Sequence, residues 1–215
     1  MDKQKKLAVF DLDGTLADTL EDLATAVNYG LIKLGYPVHH IDKYNNFVGN
    51  GILKLCERAL PEGKSESLQE LHDIFDSFYK NHCMDKTKEY TGVTELLRQL
   101  SKNGVDIAVA TNKDQTFATK IVAKLFPYIK FVKVLGGCNE RPKKPAPDII
   151  YEIKGDREYS EIYMIGDSNV DIETAKNAGM KSIGCLWGFR TEQELKDAGA
   201  DYVVSEPSEI KKIIL

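Results

Sequence analysis

The chain has 215 residues, 42% of them hydrophobic and 29% charged, enough for one large core or a core with an inserted domain. A net charge of −4, with lysine and arginine spread along the chain, gives no electrostatic footprint for nucleic acid or an anionic membrane. Cys56, Cys83, Cys138 and Cys185 are widely spaced, which excludes Cys-x-x-Cys zinc and redox motifs and reads as the free thiols of a cytoplasmic protein.

The N-terminus, Met-Asp-Lys-Gln-Lys-Lys, precedes an apolar run too short for a signal peptide or a spanning helix. That run, Leu7 to Phe10, leads straight into Asp11 and Asp13. A short apolar run bounded by turn signals predicts a strand buried on both faces. Its two carboxylates then lie at the carboxyl edge of a sheet, where open α/β sheets bind ligands. Carboxylates this close repel unless a proton or a cation intervenes. A divalent cation such as Mg²⁺ meets that need. Asp13-Gly14 as a hairpin turn, or a solvated acidic turn, are the plainer alternatives. An EF-hand loop fails, because its first ligand falls on Val9 and its last on Leu20.

The period then changes. Leu20, Leu23, Ala24, Val27, Leu31 and Leu34 predict a helix, with Asp18 and Glu21 as a capping arrangement and Gly35 as its stop. Residues 36–50 read as a loop with a short helix. Gly49-Asn50-Gly51 turns into a helix over Ile52–Leu60, stopped by Pro61. A further helix carries Leu68, Leu71, Phe75, Phe78 and His82 on one face. No strand is expected in residues 18–86. The histidines, His39, His40, His72 and His82, have no metal-ligand spacing.

Alternation starts after residue 86. A helix over Gly92–Asn103 precedes a strand at Val105–Ala110. A helix over Asp114–Phe126 precedes a strand at Phe131–Leu135. Pro147 opens a short helix. Strands at Ile162–Ile165, Ser182–Leu186 and Tyr202–Val204 alternate with helices at Asp171–Ala178, Glu192–Ala198 and Ser208–Ile214. Such alternation predicts an α/β fold with a parallel sheet and right-handed crossovers. The helical block is inserted after its first strand.

Each strand end in this sheet carries polar residues. Asp11 ends the first, Thr111-Asn112 follow Ala110, and Gly166-Asp167-Ser168 follow Ile165. Lys144 precedes Pro145 in a loop before a helix. Carboxylates from two strands can hold Mg²⁺, Thr111 offers a hydroxyl, and Lys144 a point charge. Together they make a site for a phosphate facing a carboxylate. A carboxylate can attack as a nucleophile, and a second can move the proton.

These residues resemble the motifs of the haloacid dehalogenase superfamily phosphatases. Asp11-Leu12-Asp13-Gly14-Thr15-Leu16 looks like the first motif. Thr111, Lys144 in Lys-Pro-Ala-Pro-Asp, and Gly166-Asp167-Ser168-Asn169-Val170-Asp171 look like the second, third and fourth. The resemblance implies a Rossmann-like core over residues 1–17 and 87–215 and an all-helical cap over residues 18–86. It implies that Asp11 is the nucleophile and Asp13 the general acid/base. Thr111, with Asn112 beside it, and Lys144 would bind the phosphoryl group. Asp11, the backbone carbonyl of Asp13, and Asp167 would hold Mg²⁺, with Asp171 in or near a second layer. Phe47-Val48-Gly49-Asn50-Gly51 and the tail Ala198–Val204 resemble the phosphoglycolate phosphatase branch, which acts on a small phosphorylated metabolite. Pro147–Tyr163 is short for that branch's helix and loop, which puts the packing there in question. Asn50 is the candidate donor to the leaving group, ahead of Arg58. A phosphomutase acting on hexose phosphates and a phospho-accepting receiver domain are the alternatives. Thr15-Leu16 favours the phosphatase over the first, and the helical insertion argues against the second. The substrate and the oligomeric state are not readable from the sequence.

Overall fold

The computed structural model describes residues 5–215. The N-terminal reading rests partly on Met1–Gln4, which lie outside the described residues. Strand β1 (Lys6–Phe10) sits inside a six-stranded sheet. Its neighbours are β4 (Asp106–Asp114) and β6 (Glu161–Gly166), with β5 (Lys133–Gly137) beyond β4, and β7 (Lys181–Cys185) and β8 (Tyr202–Val204) beyond β6. All pairings are parallel. The strand order runs outward from β1 in both directions, so β1, β4 and β6 meet at a switch point with their carboxyl ends together.

Successive side chains on a strand point to opposite faces, and β1 shows it. Ala8 and Phe10 pack with Leu97 and Leu100 of α5 (Val93–Lys102), Ile121 of α6 (Gln115–Leu125) and Ile210 of α10 (Pro207–Ile214). Leu7 and Val9 pack on the other face with Ile149, Ile150 and Ile153 of α7 (Asp148–Lys154) and Ala175 of α8 (Asn169–Asn177). The burial of all three isoleucines answers the question raised by the short Pro147–Tyr163 segment: the helix packs fully. The remaining helix of the sheet unit, α9 (Glu192–Asp197), buries Leu195.

Between β1 and β4 the chain builds a separate helical layer. Its helices are α1 (Leu20–Lys33), α2 (Tyr44–Phe47), α3 (Ile52–Ala59) and α4 (Leu68–His82). They enclose a second core of Leu23, Val27, Leu31, Tyr44, Leu55 and Phe75, to which Phe117 of α6 contributes across the boundary. The buried stripe of α4 is Leu71, Phe75 and Tyr79. The expected stripe ended in Phe78 and His82. Phe78 packs, partly buried, at the margin of that core, where it stacks on Tyr29 and, at 4.1 Å, on His82. A spacing of four residues per step, rather than a mixture of threes and fours, turns the buried line toward the sheet and brings Tyr79 with it.

The chain enters and leaves this layer through a ribbon absent from the sequence reading. Strand β2 (Ala17–Asp18) pairs antiparallel with β3 (Lys88–Glu89). Asp18 is therefore in a strand, and two residues per strand offer no alternation to read. The N-cap of α1 is Thr19, without a side-chain cap bond, so the expected Asp18 and Glu21 arrangement does not form. Buried Asp22 ties the two crossings together, accepting from the Lys86 and Thr87 amides and the Thr87 hydroxyl. The cysteines are unpaired, and no helix among the described residues is long and apolar enough to cross a membrane.

Candidate active site

Asp11 and Asp13 flank Leu12, which is fully buried in the core, so the two carboxylates turn out of it toward the strand ends. Gly14 makes the turn with a φ of +83°, the left-handed region that suits glycine. A Cβ there would lie 2.4 Å from Asp167 Oδ2, and one on Gly188 would lie 2.2 Å from Asp167 Cβ. Two glycines thus let the backbone close around Asp167. That carboxylate accepts from the Thr15 hydroxyl at 3.1 Å and the Phe189 amide at 2.8 Å.

Asp11, Asp167 and Asp171 are buried, with carboxylate oxygens within 4.8 Å of one another. One cation faces them. Lys144 Nζ lies 2.6 Å from Asp171 Oδ1 and 3.1 Å from Asp11 Oδ1. The second contact is an ion pair off the hydrogen-bonding direction, so Asp11 Oδ1 is buried without a hydrogen bond. The other Asp171 oxygen accepts from the Ser168 amide at 3.1 Å and hydroxyl at 2.7 Å. Asp171 is thereby held by three donors, and it orients Lys144. The Thr111 hydroxyl accepts from the Lys113 amide at 3.3 Å.

Three carboxylates against one lysine leave two negative charges uncompensated. Burial, then Asp171 and Asp11, push Asp167 up to about 8. Burial outweighs Lys144 at Asp11, and with Asp171 and Asp13 nearby raises it to about 6. A divalent cation would compensate this charge, and the orphaned Asp11 Oδ1 is an acceptor aimed at such a group. Asp11 and Asp167 are the carboxylates with capacity to hold it.

Asp13 stands apart from this cluster. Its Oδ1 accepts from the Thr19 hydroxyl at 2.7 Å and from Lys113 Nζ at 3.0 Å. Lys113 also donates to the Tyr79 hydroxyl at 2.9 Å. Burial alone would lower the Lys113 pKa, but Asp13 and Tyr79 outweigh it and hold the ammonium above the usual lysine range. None of Lys113, Thr19 and Tyr79 was among the expected site residues. For Lys113 the signal was weak: it lies two residues beyond Thr111, but β4 shifts register between Ala110 and Asp114, so alternation does not fix its side.

Asn112 bridges. Its Oδ1 accepts from the Lys144 amide at 2.9 Å, and its Nδ2 donates to the Lys144 and Gly49 carbonyls, each at 3.1 Å. The side chain expected to meet phosphate therefore sets the Lys144 loop and holds the helical layer. Gly49 and Gly51 line the cavity between the two layers, together with Asp11, Asp13, Thr111 and Lys113. Asn50 is turned away: its Oδ1 accepts from Arg58 at 2.8 Å, and Arg58 also donates to the Phe47 carbonyl. Asn50 and Arg58 brace the loop in this arrangement. Arg190, which carried no sequence signal, straps it from the sheet side by donating to the Asn45 and Val48 carbonyls.

The chain matches the Haloacid dehalogenase-like hydrolase family over residues 8–185. It is 34% identical to a phosphoglycolate phosphatase of Vibrio parahaemolyticus, covering 97% of this chain and 96% of that protein. Identity to a phosphoglycolate phosphatase of Aquifex aeolicus is 31%, over 97% and 96% of the two chains. The crystal structure of a predicted phosphoglycolate phosphatase from Haemophilus somnus superposes with a TM-score of 0.87 at 27% identity, covering all of both chains. With this match in sequence, fold and site, the chain belongs to the haloacid dehalogenase-like hydrolases, as a phosphatase of that family.

Proposed function

We propose that the protein hydrolyses a small phosphate monoester with Mg²⁺, by way of a phosphoryl group carried on Asp11, and that 2-phosphoglycolate is its substrate. In this reading residues 18–86 are the cap and residues 1–17 with 87–215 the core. One observation carries it. The two carboxylates of the Asp11–Asp13 turn have separate surroundings: Asp11, its Oδ1 without a hydrogen bond, sits beside Lys144 and Asp167, and Asp13 is held by Thr19 and Lys113. That division suits one nucleophile and one proton carrier. The relatives' shared name supports phosphoglycolate.

Asp11, Asp167 and the backbone carbonyl of Asp13 would hold Mg²⁺. Bound there, it offsets the negative charge shared by the phosphoryl group and Asp11. Lys144 and the Thr111 hydroxyl bind the phosphoryl oxygens. An Asp11 carboxylate oxygen attacks phosphorus, and the ester P–O bond breaks. Protonated Asp13 gives its proton to the departing alkoxide. Asp13, now a carboxylate, takes a proton from water. The oxygen of that water attacks phosphorus, the P–O bond to Asp11 breaks, and inorganic phosphate leaves.

The test has two parts. Phosphate release is measured over a panel of phosphate monoesters with Mg²⁺. Borohydride reduction during turnover, followed by mass spectrometry, locates the acyl phosphate as homoserine at residue 11. Release without any label at Asp11 would overturn the covalent route. Poor turnover of 2-phosphoglycolate relative to the panel would overturn the substrate.

A further inference from the structure

Resting on the phosphatase reading above, we infer that Lys113 is the residue that recognises the leaving group, and that it selects a carboxylate on the carbon next to the ester oxygen.

Lys113 is a buried lysine shared by three parts of the fold. It comes from β4, its ion-pair partner Asp13 follows β1, and its second partner Tyr79 belongs to cap helix α4. Its ammonium also lies 4.9 Å from the centre of the Tyr79 ring. That ring is fixed by stacking on Phe75 and by an edge contact with Phe117 of the core, each at 4.9 Å between centres. Lys113 is therefore held by both layers at once.

An ammonium has three N–H groups at tetrahedral angles. The two Asp13 oxygens lie 3.0 and 3.3 Å from Nζ. Being on one carboxylate, they subtend too small an angle for two of those groups and share one. Tyr79 takes a second. The third remains for the cavity that Lys113 lines.

Asp13 must reach the ester oxygen to protonate it. Lys113 Nζ, 3.0 Å from Asp13 Oδ1, is then within reach of a substituent on the adjoining carbon. Lys144 is committed to Asp11 and Asp171, and Arg190 donates to carbonyls of the cap loop. Lys143 Nζ stands beside Gly51, but its side chain is exposed to water, whereas Lys113 is buried. The facing wall is apolar, with Leu23, Val48, Ile52, Leu55 and Phe117. A polyol leaving group would strand its hydroxyls against that wall. A compact anion with one carboxylate meets Lys113, the buried ammonium beside Asp13.

The experiment compares kcat/KM for 2-phosphoglycolate and for 2-hydroxyethyl phosphate, in which a neutral CH₂OH replaces the carboxylate. Wild type is expected to prefer phosphoglycolate. Lys113→Gln, which can still bridge Asp13 and Tyr79, is expected to lower that preference about tenfold or more. Equal losses on both substrates would overturn the inference and make Lys113 a support for Asp13 alone. Should Lys113→Gln not fold by thermal melt, Tyr79→Phe decides. It frees Lys113 from the cap and is expected to lower the preference about threefold, and an unchanged preference overturns the inference. Wild type that turns over both substrates alike would instead remove the phosphoglycolate reading itself.

Discussion

The sheet edge and the helical cap meet at one cavity but are assembled from different interactions. At the edge, Asp11, Lys144 and the pair Asp167 and Asp171 arrive from three stretches far apart in sequence, Asp171 on the first turn of α8, and are held by charge and hydrogen bonds. Three of these four are like-charged and buried together, an arrangement that opposes folding. In the cap, Leu23, Leu55 and Phe75 pack as an ordinary helical core, and what reaches the cavity is mostly apolar side chain and backbone. The contrast teaches that buried charge is concentrated in the core, while the cap contributes shape and one hydroxyl, that of Tyr79, to the cavity. Variants on the two sides should therefore differ in kind as well as in size.

The largest effect is expected at Asp11. Asp11→Asn should lose about 10⁴-fold or more in turnover, the scale of removing a nucleophile. Its metal-free melting temperature should hold or rise, because one of three crowded carboxylates becomes neutral. A variant with full activity, or one that unfolds, would break the assignment of crowded charge to this cluster.

Asp13→Asn comes next. Loss of a proton carrier costs about 10²–10⁴-fold on a poor leaving group. An aryl phosphate, which departs without a proton, should lose far less. Equal losses would mean that Asp13 matters through Thr19 and Lys113, as part of the scaffold.

Metal and pH sharpen the comparison further. Asp11 at about 6 and Asp167 at about 8 both lie above the ordinary value of 3.8. Between those values the folded state holds protons that the unfolded chain has lost, so stability falls as pH rises. In the metal-free protein the stability contributed by these groups is full below pH 3.8 and is lost progressively up to about 8. Mg²⁺ should reverse the trend, because it binds the deprotonated carboxylates. At about a hundred times Kd it contributes about 2.7 kcal/mol. Melting curves at pH 6 and 8, with and without Mg²⁺, check this: a larger Mg²⁺ shift at pH 6 would contradict it.

On the cap side, Arg190→Ala removes charge-assisted bonds to the Asn45 and Val48 carbonyls, at a cost of about 1.5–3 kcal/mol. It should appear mainly in KM, for every substrate, since Arg190 holds the loop and touches no reacting atom. A loss confined to kcat would place Arg190 in the chemistry.

The smallest effect is expected at Asn50. With its carbonyl oxygen on Arg58, Asn50→Ala should cost about 0.5–1.5 kcal/mol, equally for phosphoglycolate and an aryl phosphate. A loss specific to phosphoglycolate would restore Asn50 as a leaving-group donor.

Much of the fold was legible because its signals are local. Leu7 to Phe10, the strand-helix alternation after residue 86 and the helical spacing from Leu20 to Leu34 each encode an element within a few residues. The polar strand ends were legible for the same reason, since a parallel sheet brings its carboxyl ends to one edge whatever the loops do. Asp11, Asp13, Thr111 and Asp167 follow from that rule, and Lys144 from the Lys-Pro-Ala-Pro-Asp pattern of its loop. What tertiary structure alone decided are the contacts made across layers. Whether α4 buries Tyr79 or His82 turns on a rotation set by the helices packed against it, and that rotation delivers the Tyr79 hydroxyl to Lys113. Whether Asn50 meets substrate or Arg58 depends on the direction of one side chain in a loop strapped by Arg190. Sequence patterns carry burial and period, which are properties of single elements. The partner of a buried polar group is chosen by whichever donor another element brings within 3 Å, and that is a property of the whole fold.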